Sequence, residues 1–201
     1  LPDVRPPKRE TVARILDYLP YGHVSEAITS YQKRPLVQAV GEGNFVLMEM
    51  TPKEGVVPTV GQRVNLTARD VIERVNRRIS YSDLTNSAKL ELGYEIQKIV
   101  LDNEERFIRY FNEAGPITTR MHGLELLPGI GKKLMWAILN ERKKGPFRSF
   151  KDLSERVKGL HNPEKLIAKR IEEELMDDRI KYRVFTAEPK EPKPVEARRR
   201  P

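Results

Sequence analysis

The chain has 201 residues, 38% of them hydrophobic and 33% charged; 37 Lys and Arg against 29 Asp and Glu give a net charge of +8. It contains no cysteine, which excludes disulfides, thiolate zinc sites, iron–sulfur clusters and cysteine nucleophiles. No apolar run approaches the roughly 20 residues of a membrane-spanning helix, and LPDVRPPKRE at the start lacks the apolar stretch of a signal peptide. A cytoplasmic protein is expected.

Residues 1–9 read as a flexible N-terminus, followed by a small β-domain over residues 10–81. Thr11 to Leu19 is β-rich and ends at Pro20-Tyr21-Gly22-His23. Leu36–Val40 and Phe45–Met50 flank Gly41-Glu42-Gly43-Asn44, the signal of a hairpin. Arg63-Val64-Asn65-Leu66 alternates polar and apolar. Val71, Val75 and Ile79 fit a helix or a strand, and a strand closing a barrel is predicted over Ala68–Ile79. Short strands at this spacing suggest a small antiparallel barrel or sandwich. Tyr18, Tyr21, Tyr31 and Phe45 belong to it, either filling its core or offering rings to bases.

Residues 82–115 read as a helical connector. Ser82-Asp83-Leu84-Thr85 resembles a helix entry. Leu92, Ile96, Ile99, Val100, Phe107, Ile108 and Phe111 then recur at three- and four-residue steps, with a break expected near Asp102-Asn103. Glu91, Glu95, Glu104 and Glu105 are assigned to its outer face, and Gly115-Pro116 ends it.

Residues 119–187 hold sixteen basic and ten acidic residues, the largest local excess in the chain. Within them a short helix, Leu124–Leu127, leads through Pro128-Gly129-Ile130-Gly131 into a helix opened by Lys132. Two glycines two apart allow positive φ and close approach of a ligand. The unpaired N–H groups and positive dipole end of the new helix complete a phosphate cradle. Gly129, Ile130, Gly131, Lys132, Lys133, Lys144 and Arg148 are the candidate nucleic-acid-binding residues, with Ile130 pinning the turn inward. Leu134, Ile138 and Leu139 are expected to be buried, and Trp136 to lie in the core or at the seam with the connector. Neither the GxGxxG nor the GxxxxGK[ST] loop is present.

These residues resemble the helix-hairpin-helix signature. Gly145-Pro146-Phe147-Arg148-Ser149-Phe150-Lys151-Asp152-Leu153 resembles the linker of tandem copies. The second copy runs through Val157–Pro163 and lacks the second glycine; Lys158, Gly159, Asn162 and Lys165 are its candidate contacts, or it only packs on the first. Such hairpins sometimes hold a monovalent cation at turn carbonyls, here the Leu127–Ile130 turn; otherwise no metal and no cofactor is expected. Some glycosylases of this kind use a turn lysine and a later aspartate, for which Lys132 or Lys133 and Asp152 are available, without the rest of a base-flipping pocket. His23, His122 and His161 are too scattered for a metal site, and Glu172-Glu173-Glu174 with Asp177-Asp178 reads as a solvated face. From Glu188 the prolines and charges read as a disordered tail over residues 188–201, ending in Arg198-Arg199-Arg200.

Three stretches, Leu16–His23, Arg77–Thr85 and Pro116–Lys133, carry a wider resemblance over residues 10–187. The chain resembles the mainly archaeal domain-of-unknown-function family six-five-five. That resemblance implies an α+β fold: an OB-like β-barrel, a helical connector, and a C-terminal tandem helix-hairpin-helix domain over 116–187. It also implies RNA or nucleotide binding in a translation or ribosome-maturation setting. Together with the basic hairpin and the short apolar runs, the expectation is a non-catalytic nucleic-acid-binding protein, RNA before DNA, with ribosomal or translation proteins as further partners and no membrane. The alternatives are a protein-interaction adaptor in a ribosome-maturation or DNA-processing complex, and a DNA-binding or nuclease-associated subunit.

Overall fold

The structure is a computed structural model that describes residues 9–23 and 34–188. Tyr31, the first eight residues and the expected tail beyond Glu188 lie outside the described residues. Strands β1 (Val12–Leu19), β2 (Leu36–Gly41), β3 (Leu47–Pro52), β4 (Arg63–Asn65) and β5 (Ile72–Arg78) form one antiparallel sheet in the order β4-β1-β2-β3-β5. The fourth strand returns to lie beside the first, a Greek-key connection. The sheet curls into a half-barrel.

Alternation sorts the side chains between two cores. Ala13, Ile15, Val37, Ala39, Met48 and Met50 pack together with Val64 and Ile72 on one face. Leu16, Val40 and Leu47 join the helical core on the other. A register shift between Ile15 and Asp17 inserts one residue into β1, so Leu16 and Asp17 both serve the helical side. The segment that fitted helix or strand is the edge strand β5, whose residues Glu73–Arg78 are exposed.

Helix α1 (Asn86–Asp102) starts where Thr85 accepts the Ala88 N–H on its side chain. It breaks at Asn103, and α2 (Glu104–Glu113) follows. The expected apolar stripe of both helices is buried. Glu95 is not on an acidic outer face: it is fully buried, facing Arg14 at 3.6 Å and bonded to Lys98. Burial costs a carboxylate several kcal/mol unless cations compensate, and these two supply the compensation.

Helices α3 (Lys132–Lys143), α4 (Phe150–Arg156) and α5 (Pro163–Met176) complete the chain. One core runs from Leu16 and Val40 through Phe107 and Tyr110 to Leu127, Ile138, Leu153, Ile167 and Phe185. It crosses the expected domain boundary at Gly115-Pro116. Glu174 corrects the reading of Glu172–Asp178 as a solvated face. It is fully buried and accepts the N–H groups of Val184, Phe185 and Thr186, the Thr186 hydroxyl and Arg170 Nε. Five donors converging on two carboxylate oxygens hold residues 178–187 as a strap that seats Phe185 against Phe107 and Tyr110.

Candidate functional site

The glycine turn is assembled from its N-terminal side. His122 caps a short 3-10 turn, Gly123–Leu126, by accepting the Leu124 N–H on Nδ1 at 3.1 Å. An accepting Nδ1 requires neutral imidazole there, and burial together with Arg142 pulls the His122 pKa below the ordinary value. Glu125 reaches back to the His122 N–H at 2.8 Å, closing a reciprocal cap. Leu124, Leu127 and Ile130 are buried as anchors. The Ile130 N–H donates to the Leu127 carbonyl, so that carbonyl is already engaged at the turn proposed for a monovalent cation.

The two glycines differ in kind. Gly129 has φ +88, which favours glycine. Gly131 has φ −90 and is the N-cap of α3. The positive φ expected of the glycine pair therefore belongs to Gly129 alone. The first N–H groups of a helix lack intrahelical partners, and among the described residues no side chain caps those of α3. A Cβ on Gly131 would meet nothing within 4 Å, so the helix start is open.

The two lysines also differ. Lys132 Nζ donates to Glu125 Oε2 and to the Arg120 carbonyl, both at 2.8 Å. The Lys132 bond and the His122 N–H hold the Glu125 carboxyl below the usual carboxylate range. Lys132 thus braces the turn, and Lys133, exposed one residue later, is the cation at the opening. Lys144 pairs with Glu141 beyond the far end of α3. Arg148 is exposed on the α3–α4 linker, its N–H donating to Asp152. Asp152, weighed as a catalytic aspartate, accepts that bond and pairs with Arg156. Trp136 is not in the core: it is 57% exposed on α3. Leu134 and Leu139 are half-buried, while Ile138 is fully buried.

The second turn repeats the first locally. Gly159 has φ +89, Leu160 is buried like Ile130, and its N–H donates to the Val157 carbonyl at 3.1 Å, the match of Ile130 to Leu127. The turns face each other. A Cβ on Gly129 would lie 3.9 Å from Leu166 of α5, and one on Gly159 3.7 Å from Leu134 of α3. They diverge at the helix start: α5 has Asn162 at φ +48 as N-cap, Pro163 at the first position and Glu164 in the first turn. Proline removes a donor and glutamate places negative charge where an anion would sit. Lys158, Asn162 and Lys165 are exposed around it.

A second polar cluster crosses the sheet. Asp17, Gln38, Glu49 and Arg77 are successive cross-strand partners on β1, β2, β3 and β5. Glu49 is buried and accepts from Arg77 Nε at 2.8 Å and bonds His23 Nε2. Burial pushes the Glu49 carboxyl up, but His23 and Arg77 together outweigh it and leave it below the ordinary value. Gln38 accepts the Thr85 N–H and donates to the Asp83 carbonyl, and the Thr85 hydroxyl donates to Asp17. The row fastens the start of α1 to the sheet and leaves His23 and Arg77 half exposed. Gln38 and Glu49 were not singled out in the sequence; the only signal was two polar residues inside β-prone runs, Gln38 in Leu36–Val40 and Glu49 in Phe45–Met50. Among the described residues no cluster of three or more His, Asp or Glu is arranged to hold a metal.

A family model described as "Protein of unknown function (DUF655)" matches residues 9–187. A curated relative, Uncharacterized protein MJ0038 of Methanocaldococcus jannaschii, is 49% identical over 184 residues, covering 90% of this chain and 82% of its own. The crystal structure of Af1531 from Archaeoglobus fulgidus, assigned to the same family, superposes with a TM-score of 0.83 at 48% identity. It covers 89% of this chain and 100% of its own. The polar row across the sheet and the open glycine turn thus sit in a fold shared along almost the whole length with archaeal relatives: the chain belongs to the DUF655 family.

Proposed function

We propose that this protein binds nucleic acid without catalysing a reaction, gripping the sugar-phosphate backbone at the start of α3. The observation that carries the reading is the uncapped helix start at Gly131, open on its outer side and flanked by the exposed Lys133. Helix-start N–H groups, a positive dipole end and an exposed cation together suit a phosphate. The paired turns, each glycine facing a leucine of the other's helix, support reading residues 116–187 as a tandem helix-hairpin-helix. In that pair the first turn binds and the second, with Pro163 and Glu164, packs. The Greek-key order supports an OB-like barrel. Its edge strand β5 exposes Arg74, Arg77 and Arg78, and Tyr21 is exposed near His23, which extends the basic surface. RNA is preferred to DNA through the translation setting that the family resemblance implies.

The test is the salt dependence of binding to a labelled oligonucleotide. Affinity should fall steeply with salt through counterion release. Lys133→Ala should weaken binding to all sequences alike and lower the salt slope by about one unit. Lys158→Ala with Lys165→Ala should weaken it less. A flat salt dependence removes the phosphate mechanism, and equal losses at the two turns remove its assignment to the first turn. One observation favours a second reading, the adaptor: Leu90, Tyr94 and Leu101 are exposed along one stripe of α1. Binding to a protein that survives high salt, with none to nucleic acid, would choose it.

A further inference from the structure

Trp136 places a large apolar ring in water, although tryptophan gains more from burial than almost any side chain. The buried residues Met135 and Ile138 define the inward side of α3. On a helix turning about 100° per residue, Lys132, Lys133, Asn140 and Lys143 fall within roughly 60° of Trp136 on the outward side. All four are exposed. The ring is not among the half-buried residues that pack on the core. Among the described residues no lysine or arginine lies over it. Packing therefore gives no reason for a tryptophan here. The stripe it centres starts at the open end of the helix, next to Gly131.

A bare aromatic face between lysines matches a ligand that offers flat π-faces and negative charges together. Duplex nucleic acid presents its phosphates but keeps its bases stacked inside. A single strand presents both, and stacking on an aromatic ring is tolerant of sequence. We infer that the outward face of α3 binds single-stranded nucleic acid, with one base stacked on Trp136 and its flanking phosphates at the Gly131 helix start, Lys133 and Lys143. This rests on the proposed phosphate-binding reading and adds the strand state of the ligand.

Trp136 is the chain's single tryptophan, so its fluorescence reports this contact alone. The intact protein is titrated with a twelve-nucleotide uridine RNA, the matching thymidine DNA, and blunt duplexes of equal length. Binding is followed in parallel by anisotropy of an end-labelled strand. Both single strands should quench the tryptophan and both duplexes should leave it unchanged. Trp136→Ala should weaken single-strand binding about tenfold and Trp136→Phe by less than about threefold, with duplex affinity unchanged. Tight binding by anisotropy with no quenching, or with full affinity in Trp136→Ala, overturns the inference and leaves the phosphate reading standing. No binding to any strand at low salt overturns both.

Discussion

At the scale of single residues, the glycines of the first turn separate folding from binding. Gly129 holds φ +88, so Gly129→Ala should cost about 1–2 kcal/mol of stability through left-handed strain. Gly131 caps α3 without a side chain and faces open space. Gly131→Asp should do the opposite: its carboxylate accepts helix N–H groups and suits the dipole, for a gain of about 0.5 kcal/mol. The same carboxylate occupies the cradle and repels phosphate, so nucleic-acid affinity should fall at least several-fold. Urea unfolding and oligonucleotide anisotropy on both variants check this, and a Gly131→Asp protein that binds like the parent would remove the site. Much of the turn was legible in Pro128-Gly129-Ile130-Gly131, because apolar anchors and glycines act locally. The sequence could not tell which glycine takes positive φ, nor that Lys132 is drawn back to Glu125 seven residues earlier. It misplaced Trp136, because a single large apolar residue carries no periodicity of its own and Leu134, Ile138 and Leu139 outlined a stripe wide enough to include it.

At the scale of elements, hydrophobic spacing located both connector helices and the break between them, and β-propensity located the hairpin. The ambiguity of Ala68–Ile79 was real, since an exposed edge strand has little burial to impose alternation. The strap over residues 178–187 was not legible, since its anchor is a glutamate among like charges in Glu172–Asp178. A carboxylate gathers backbone donors only once the chain has folded back on it. Glu174→Gln tests that anchor with little change of shape. The amide presents N–H to donors that need an acceptor, so the variant should lose about 2–4 kcal/mol. Limited trypsin digestion should then cut earlier at Arg179, Lys181 and Arg183. Unchanged stability and an unchanged cleavage pattern would show that the strap does not depend on the Glu174 carboxylate.

At the scale of the whole molecule, the helical core is continuous across Gly115-Pro116. α1 also packs on α5 closely enough that a Cβ on Gly93 would lie 2.5 Å from Glu172 Oε1. The basic segment 116–187 shares Leu92, Ile96, Phe107, Tyr110 and Phe111 with the connector. A fragment of residues 116–187 should accordingly show weak or no cooperative unfolding, whereas one of residues 9–187, which keeps Leu16, Val40 and Leu47 of the same core, should unfold cooperatively. Circular dichroism against temperature distinguishes them, and a sharp transition in the shorter fragment would restore a boundary at Gly115. Composition and charge had placed the binding face in this half, but charge alone cannot report where a core ends.

The β2–β3 turn gathers both ends of the described fold. Glu10 accepts the N–H groups of Gly43 and Asn44 on its carboxylate, and the Asn44 carbonyl accepts the Ala187 N–H. The path of 178 residues from Glu10 to Ala187 thus starts and finishes on one asparagine. Anything joined before or after it is tethered at the same corner. A pull between two such tethers would load the Glu10–Asn44–Ala187 junction first, and tension would reach the sheet and the α3 turn only after that junction had given way.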